Sequence, residues 1–269
     1  MSPNAVFLLL GIAVATVACG SDGHAPDGEL TGDQALLVAG ASDLRPAFEE
    51  IAALFTARTG HEIVFDFGSS GQLAQRIIEG APVDVYASAS VSYVHEVLAS
   101  GRGDPATTAT YGFGRIVIWS RTEEWNGWKT LEDLAADPDA RFLAIANPDH
   151  APYGQAARQA LESAGLWDQL ESRLVYGENI SDTMRLADTG DADAALIAFS
   201  LAIAAGDRGE WVLVDDARHE PLEQALVVIT VDPERRPAAA AFAEFVNGPQ
   251  GREVMTRYGF VLGDEGVAH

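Results

Sequence analysis

The sequence predicts an α/β fold of two lobes with a ligand cleft between them. Short apolar runs alternate with amphipathic segments from Leu36 onward, a pattern typical of mixed, mainly parallel sheets that carry helices on both faces. Two short stretches, Gly112–Gly114 and Pro221–Glu223, have the composition expected where a chain crosses between lobes. In open sheets of this kind, ligands bind in the crevice at the carboxyl ends of the strands.

The apolar runs and the segments between them define the predicted elements in order. In the first helix, Leu44, Phe48, Ile51 and Phe55 fall on one face, and Gly60 follows as a helix-ending residue. The predicted strands are 36–39, 63–67, 84–87, 115–119, 142–146, 174–176, 194–198, 211–214 and 225–231. The predicted helices are 44–58, 72–79, 91–99, 131–136, 155–164, 181–189, 237–247 and 249–258.

The charge of the chain limits its partners. Its 269 residues include 40 acidic and 17 basic side chains, which gives a formal net charge of -23. So acidic a surface argues against nucleic acid and against anionic membrane faces. It also offers no long-range attraction to an anion, so any affinity for an anion must arise from local contacts.

The N-terminal residues carry the features of a lipoprotein signal. Residues 5–18 form an apolar run of the length of a signal peptide's hydrophobic region, and they lead into Cys19, the one cysteine of the chain. We expect residues 1–19 to be the signal peptide, with Cys19 lipidated as the mature N-terminus at the cell surface or in the periplasm. Residues 20–35 are then a flexible, polar tether. Plain secretion and a buried cytosolic helix are the alternatives.

At four places an apolar run breaks into a small or hydroxyl-bearing turn that opens a helix. These junctions are Val38–Ser42, Phe65–Gly71, Ala144–Gly154 and Val175–Ser181. A helix N-terminus exposes unpaired backbone N–H groups and the positive end of the helix dipole. If several such termini converge, they form an anion site made of neutral donors.

In this order the junctions resemble the periplasmic molybdate-binding proteins of ABC transporters. The resemblance implies the type II periplasmic-binding-protein fold, with 36–113 plus 221–262 as lobe 1 and 114–220 as lobe 2. It also implies molybdate or tungstate as the ligand and an ABC permease as the partner. The matching segments are Ala39–Leu44, Ser69–Leu73, Gly80–Ala89, Asn147–Gly154, Gly165–Trp167, Gly177–Ile180 and Arg257–Phe260.

The resemblance also implies which residues hold the anion. Ser42 and Ser70 would each donate a hydroxyl and a backbone N–H, whereas Tyr153 and Ile180 would donate backbone N–H only. Many family members add a tyrosine hydroxyl from the strand 194–198, where this chain has Ala198. Either the Tyr153 phenol takes that place, or the site makes fewer bonds.

Each of these residues also has a purely structural interpretation. Ser42, Ser70 and Ser181 are typical helix N-caps, and Asp43 is interpreted as a cap of the first helix in preference to a proton acceptor for an anion such as hydrogen phosphate. His150 is interpreted as a turn residue. No His, Cys, Asp and Glu cluster has the spacing of a metal site, so we expect no cationic metal site and no cofactor.

Other functions stay open from the sequence alone. A receptor for sulfate, another small anion or an organic solute would use the same fold, and a sensor would bind the anion without transport. A hydrolase is disfavoured because Gly40–Leu44 lacks the second glycine of a nucleophile elbow. We expect a monomeric binding protein and not an enzyme.

Overall fold

The computed structural model describes residues 35–263, which form two α/β lobes. The predicted signal peptide, its Cys19 and nearly all of the tether lie outside the described residues. Among the helices of residues 35–263, none combines the length and the hydrophobicity that crossing a bilayer requires.

The first lobe is built on a five-stranded sheet. Its strand order is β2–β1–β3–β10–β4. The strands are β1 (Leu36–Ala41), β2 (Ile63–Gly68), β3 (Val85–Ser88), β4 (Ala109–Gly114) and β10 (Leu222–Val228). The helices α1 (Arg45–Thr59), α2 (Ser70–Ile78), α3 (Val91–Ala99), α9 (Arg236–Val246) and α10 (Pro249–Arg257) belong to this lobe.

The second lobe repeats the arrangement with the middle of the chain. Its sheet has the order β7–β6–β8–β5–β9. The strands are β5 (Ile116–Arg121), β6 (Leu143–Ala146), β7 (Leu174–Gly177), β8 (Ala194–Ala198) and β9 (Gly209–Leu213). The helices are α4 (Leu131–Ala136), α5 (Pro152–Ser163), α6 (Trp167–Leu170), α7 (Ile180–Asp188) and α8 (Phe199–Ala205).

Each sheet is mixed, as expected, although its parallel and antiparallel pairs are equal in number and the parallel pairs do not predominate. In the first sheet β1 pairs in parallel with β2 and β3, whereas β10 is antiparallel to β3 and β4. In the second, β6 is parallel to β7 and β8, and β5 is antiparallel to β8 and β9. The mixed pairing follows from the two crossings between the lobes. Strands β5 and β10 come directly after a crossing, so each starts at the cleft and runs opposite to the neighbouring strands that end there.

Aromatic side chains hold the helices of the first lobe together. Phe48 and Phe55, on the predicted apolar face of α1, meet Phe242 edge-on with ring centroids 6.2 and 5.3 Å apart. All three are fully buried. Helix α1 ends where the sequence predicts, because Gly60 adopts a left-handed conformation with φ of 79° and closes the last turn onto Thr56.

Three elements were not predicted from the sequence. Strand β4 carries the two glycines of the predicted crossing, and β-bridge pairing of Phe113 with Val261 fixes it to the C-terminal residues. Helix α8 follows β8 without a polar start signal, and α6 is a single turn. The chain passes between the sheets after Gly114 and returns before Leu222.

Candidate functional site

A small cavity lies where the two lobes meet. About 10 Å³ is open to the centre of a water molecule, so it suits a compact ion and not an organic solute. None of its lining residues is a cation. They come from the ends of β1, β2 and β3 and from the starts of α2, α5 and α7: Ala41, Ser42, Asp43, Gly68, Ser69, Ser70, Ala89, Ala151, Pro152, Tyr153 and Ile180.

The hydroxyls of Ser42 and Ser70 are free to donate into this cavity. Ser42 starts a 3-10 turn directly after β1, and Ser70 is the first residue of α2. The Ser42 Oγ accepts the backbone N–H of Ser181 at 3.3 Å, and the Ser70 Oγ accepts that of Ala89 at 3.0 Å. Within residues 35–263 neither hydroxyl donates a hydrogen bond, so each keeps its proton for a ligand.

Two helix N-termini supply backbone donors. In α5 the N-cap is Ala151, which has no side chain able to cap, so the Tyr153 N–H is not taken by a cap. In α7 the Asn179 carboxamide caps the N–H groups of Ser181 and Asp182 and leaves that of Ile180. Neither the Tyr153 nor the Ile180 N–H bonds to another described residue, as expected of a first helical turn that faces a ligand.

The structure brings all four predicted ligand residues, Ser42, Ser70, Tyr153 and Ile180, to this one cavity. They come from both lobes and are separated by up to 138 positions in the chain, as their numbers show. Their convergence gives a concave site whose polar groups toward the centre are O–H and N–H donors, with one exception, the carboxyl group of Asp43.

The capping interpretations are wrong. The N-caps of α2 and α7 are Ser69 and Asn179, one residue before Ser70 and two before Ser181. Ser42 caps nothing either, because Ala41 and Leu44 occupy the cap positions of the 3-10 turn and of α1. Asp43 makes no capping bond and lies fully buried beneath the cavity.

Asp43 is the centre of a buried hydrogen-bond network. Its Oδ2 accepts the Tyr153 phenol at 3.0 Å and the Gln224 amide at 2.9 Å. Tyr111 donates to the Gln224 Oε1 at 3.1 Å. Burial raises the pKa of Asp43 to about 6, although the bonds from Gln224 and Tyr153 and the nearby backbone N–H groups of Asp43 and Leu44 lower it in part. The sequence did not single out Gln224 or Tyr111.

The Tyr153 phenol therefore does not replace the tyrosine that the family places on the strand 194–198. It points to Asp43, and burial raises its pKa well above the usual range, so it stays a neutral donor to that carboxyl group. Ala198 is buried at the end of β8 and does not line the cavity. The site has its serine hydroxyls and backbone N–H groups without a tyrosine hydroxyl.

Direct bonds across the cleft hold the lobes closed. The Ser181 hydroxyl donates to the Ser42 carbonyl oxygen at 3.0 Å. His150, in the turn after β6, accepts at its carbonyl oxygen the Ser69 hydroxyl at 2.6 Å and the Gly71 N–H at 2.9 Å. His150 is thus a turn residue, and the described residues hold no group of three or more His, Cys, Asp or Glu side chains suited to a metal ion.

The family model of bacterial extracellular solute-binding proteins matches residues 36–261. The chain belongs to this family. The solute-binding protein is also 33% identical to the molybdate-binding protein ModA of Rhodobacter capsulatus, over 84% of this chain and 88% of that protein. It is 31% identical to ModA of Azotobacter vinelandii over 84% and 89%. The resemblance read from the strand–helix junctions is confirmed.

Solved structures agree with the two-lobed fold of the solute-binding protein. The Azotobacter vinelandii periplasmic molybdate-binding protein superposes with a TM-score of 0.78 at 30% identity, over 84% of this chain and 99% of that one. The sulfate-binding protein SubI of Mycobacterium tuberculosis gives 0.71 at 15% identity, over 86% and 88%, and shares the fold alone. Proteins of this family act outside the cytoplasm as receptors that bind solutes.

Proposed function

We propose that this solute-binding protein captures molybdate, and tungstate with it, between its lobes and delivers the anion to an ABC permease. The observation that carries the proposal is the cation-free cavity into which Ser42 and Ser70 keep undonated hydroxyls and α5 and α7 present unpaired N–H groups. Its similarity to two molybdate-binding proteins at 33% and 31% identity supports the same ligand.

A donor set of this kind suits a tetrahedral dianion without protons. Each oxygen of molybdate or tungstate accepts hydrogen bonds and has no proton to give. A charge-assisted hydrogen bond to a desolvated anion contributes about 1.5–3 kcal/mol, so half a dozen support tight binding after the cost of desolvation. The small cavity adds a limit on radius.

Sulfate is the alternative ligand within the same fold. It is a smaller tetrahedral dianion with the same acceptor pattern, so only the cavity radius separates it from molybdate. Closure of the lobes fixes that radius through the bonds of Ser181 to Ser42 and of His150 to Ser69. We therefore expect sulfate to bind weakly, because a smaller anion cannot reach both walls at once.

A receptor fits the site better than a hydrolase. A serine does lie beside a histidine at the cleft, since the Ser69 Oγ is 2.8 Å from the Nδ1 of His150. Its proton goes to the His150 carbonyl oxygen at 2.6 Å, so the imidazole does not receive it as a general base would. We also propose that the receptor is a monomer, that it is held by a lipid at Cys19, and that it acts in the periplasm or on the cell surface. In this proposal residues 36–113 and 221–262 form lobe 1, and residues 114–220 form lobe 2.

Isothermal titration calorimetry on the mature receptor, purified in detergent, tests the ligand. Molybdate and tungstate are expected to bind tightly, with sulfate and phosphate far weaker. Tight sulfate binding would transfer the specificity to sulfate, and no heat with any of the four anions would refute an oxyanion receptor.

Substitution of the two serines tests the site. Ser42→Ala and Ser70→Ala are each expected to lower molybdate affinity about tenfold or more, because each removes a charge-assisted donor. The free energy of unfolding should stay within about 1–2 kcal/mol of the parent. Ser163→Ala, at an exposed position at the end of α5, is the control and should bind as the parent does. Parental affinity in both site variants would refute the assignment.

A further inference from the structure

One carboxyl oxygen at the cavity forms no hydrogen bond of normal geometry with the residues that the structure describes. Asp43 lines the cavity and is completely buried, and its Oδ1 makes no hydrogen bond with any described residue. The other oxygen, Oδ2, already accepts two bonds, from Tyr153 and Gln224. Buried polar atoms are almost always paired, so an unpaired carboxyl oxygen beside a ligand cavity points to a bond with the ligand.

The surroundings of Asp43 offer no positive charge. Tyr153 reaches it from α5 and Gln224 from β10, and Ser200 of α8 donates to its backbone oxygen at 2.8 Å. Tyr111 of β4 stands behind Gln224. The two tyrosines are the titratable groups that face Asp43, and burial raises the pKa of both well above the usual range, so both are neutral.

An ionised Asp43 and a bound dianion would therefore repel each other across the cavity. Among the described residues no cation pairs with the carboxylate or lines the cavity, so the repulsion is not offset. A neutral carboxyl group removes the repulsion and turns Oδ1 into a donor. The proton belongs on Oδ1 because Oδ2 already accepts two hydrogen bonds.

We propose that Asp43 binds the oxyanion as a neutral carboxylic acid and donates the proton on Oδ1 to an anion oxygen. Wherever the free carboxyl group is ionised, each captured anion then brings one proton from solvent into the cleft. No covalent bond forms or breaks, and Oδ2 keeps its bonds to Tyr153 and Gln224. This inference rests on the proposed function, and it adds that the receptor takes up anion and proton together.

The pH at which this coupling acts follows from the pKa of Asp43. Burial in the closed cleft, before any anion is bound, raises that pKa to about 6. Below that pH the carboxyl group is already protonated, so binding takes up no further proton and affinity does not change with pH. Above it the receptor is ionised and must take up a proton to bind, so affinity falls by up to about tenfold per pH unit.

Calorimetric proton counting tests the inference on the mature receptor in detergent. Molybdate is titrated at pH 5 and at pH 8, each in two buffers of different ionisation enthalpy. We expect close to one proton taken up per molybdate at pH 8 and close to none at pH 5. Tight molybdate binding without proton uptake at pH 8 overturns this inference and leaves the proposed function standing. No molybdate binding at either pH overturns both.

Asp43→Asn assigns the proton to its residue. The amide keeps the shape, offers its N–H in place of the Oδ1 proton, and accepts the Tyr153 and Gln224 bonds at its oxygen. This variant should bind molybdate with no proton uptake and with the same affinity at pH 5 and pH 8. Asp168→Asn, an exposed aspartate of α6, should keep the parental uptake. Uptake that persists in Asp43→Asn would place the proton on another group and overturn the inference.

Discussion

At the scale of single residues, Asp43 is the acidic group of the cavity lining. Its carboxyl group is buried without a cation, and burial raises its pKa to about 6, so the fold disfavours its charge. The neighbouring Ser42 and Ser70 are buried too, yet they are neutral and their protons remain available. The site thus combines donors that are always ready with one group whose state depends on pH.

The same carboxyl group should destabilise the fold as pH rises. Because the folded pKa of about 6 exceeds the ordinary 3.8, stability is fully present below pH 3.8 and is lost as pH rises through 6. The loss amounts to about 3 kcal/mol at pH 7.5. Urea unfolding gives the free energy of unfolding of the parent and of Asp43→Asn at pH 4 and at pH 7.5. The loss is the amount by which the difference between the two proteins changes from pH 4 to pH 7.5. A difference that stays constant between these pH values would show that the folded protein does not disfavour the ionised Asp43.

At the scale of elements, the N–H groups at a helix N-terminus can either be capped by a side chain or bind a ligand, and different helices of this protein do different things. Helix α7 is capped by Asn179, whose Oδ1 accepts the N–H of Ser181 at 3.0 Å and of Asp182 at 3.1 Å. Helix α2 has Ser69 at its cap position, but that hydroxyl is bonded to His150 of the other lobe. Capping stabilises one helix, while the uncapped termini serve the ligand and the closure of the lobes.

Asn179→Ala should therefore affect stability more than binding. Loss of the two capping bonds is expected to lower the free energy of unfolding by about 1 kcal/mol, while the Ile180 N–H still faces the cavity. Thermal unfolding and calorimetry with molybdate measure the two effects. Ser69→Ala is the matched comparison, with near-parental unfolding and weaker binding, because its bonds span the cleft. A large loss of affinity in Asn179→Ala would contradict this division of tasks.

At the scale of the whole molecule, closure depends on close approach of backbone to backbone. A Cβ at Gly71 would lie 2.7 Å from the His150 carbonyl oxygen of the second lobe, which is closer than two such atoms can pack. The Gly71 N–H donates to that same oxygen at 2.9 Å. The Cβ would also lie 2.9 Å from the Tyr93 ring of α3 in the same lobe, but that side chain is flexible, whereas the backbone of the second lobe cannot give way without moving the lobe.

Gly71→Ala should hold the lobes apart without removing a ligand donor. We expect weaker molybdate binding and an unchanged unfolding midpoint in the absence of anion. Small-angle X-ray scattering should show little or no ligand-induced decrease in radius of gyration. The control is Gly263→Ala, where a Cβ would lie an ordinary 3.7 Å from the Phe113 ring. Full compaction of the Gly71 variant with molybdate would show that the interface adapts.

Local pattern was enough to predict much of this fold and the location of its cavity. The helix 91–99 and the strand 194–198 match the structure residue for residue, since each has a clear hydrophobic period and a clear stop. The four strand–helix junctions also converge, because the strand ends of each sheet lie at one edge and the two edges face each other across the cleft. Strand β4 was missed since its glycines weaken the strand signal that Phe113 and Tyr111 carry.

The polar network behind the cavity could not be predicted from the sequence. Asp43 and Gln224 are 181 positions apart, and no local period links a carboxyl group to an amide on a distant strand. One signal was present, since an aspartate within the otherwise small and apolar run from Gly40 to Leu44 has few solvent-facing positions to occupy. Whether it would cap a helix or be buried is decided by tertiary contacts with α5 and β10.

The absence of cations from the cavity lining also governs how quickly this receptor responds to its ligand. The chain has a net charge of -23 and repels an approaching dianion at long range. The anion is attracted only when it comes within hydrogen-bond distance of the donors in the cleft. Encounter is thus slowed, and tight binding must come from slow release after closure. Such a receptor averages the supply of a scarce anion over the lifetime of its complex and does not follow brief fluctuations. Added salt screens the repulsion between the chain and the approaching anion but has little effect inside the closed cavity. It should therefore raise the association rate constant more than it raises the dissociation rate constant.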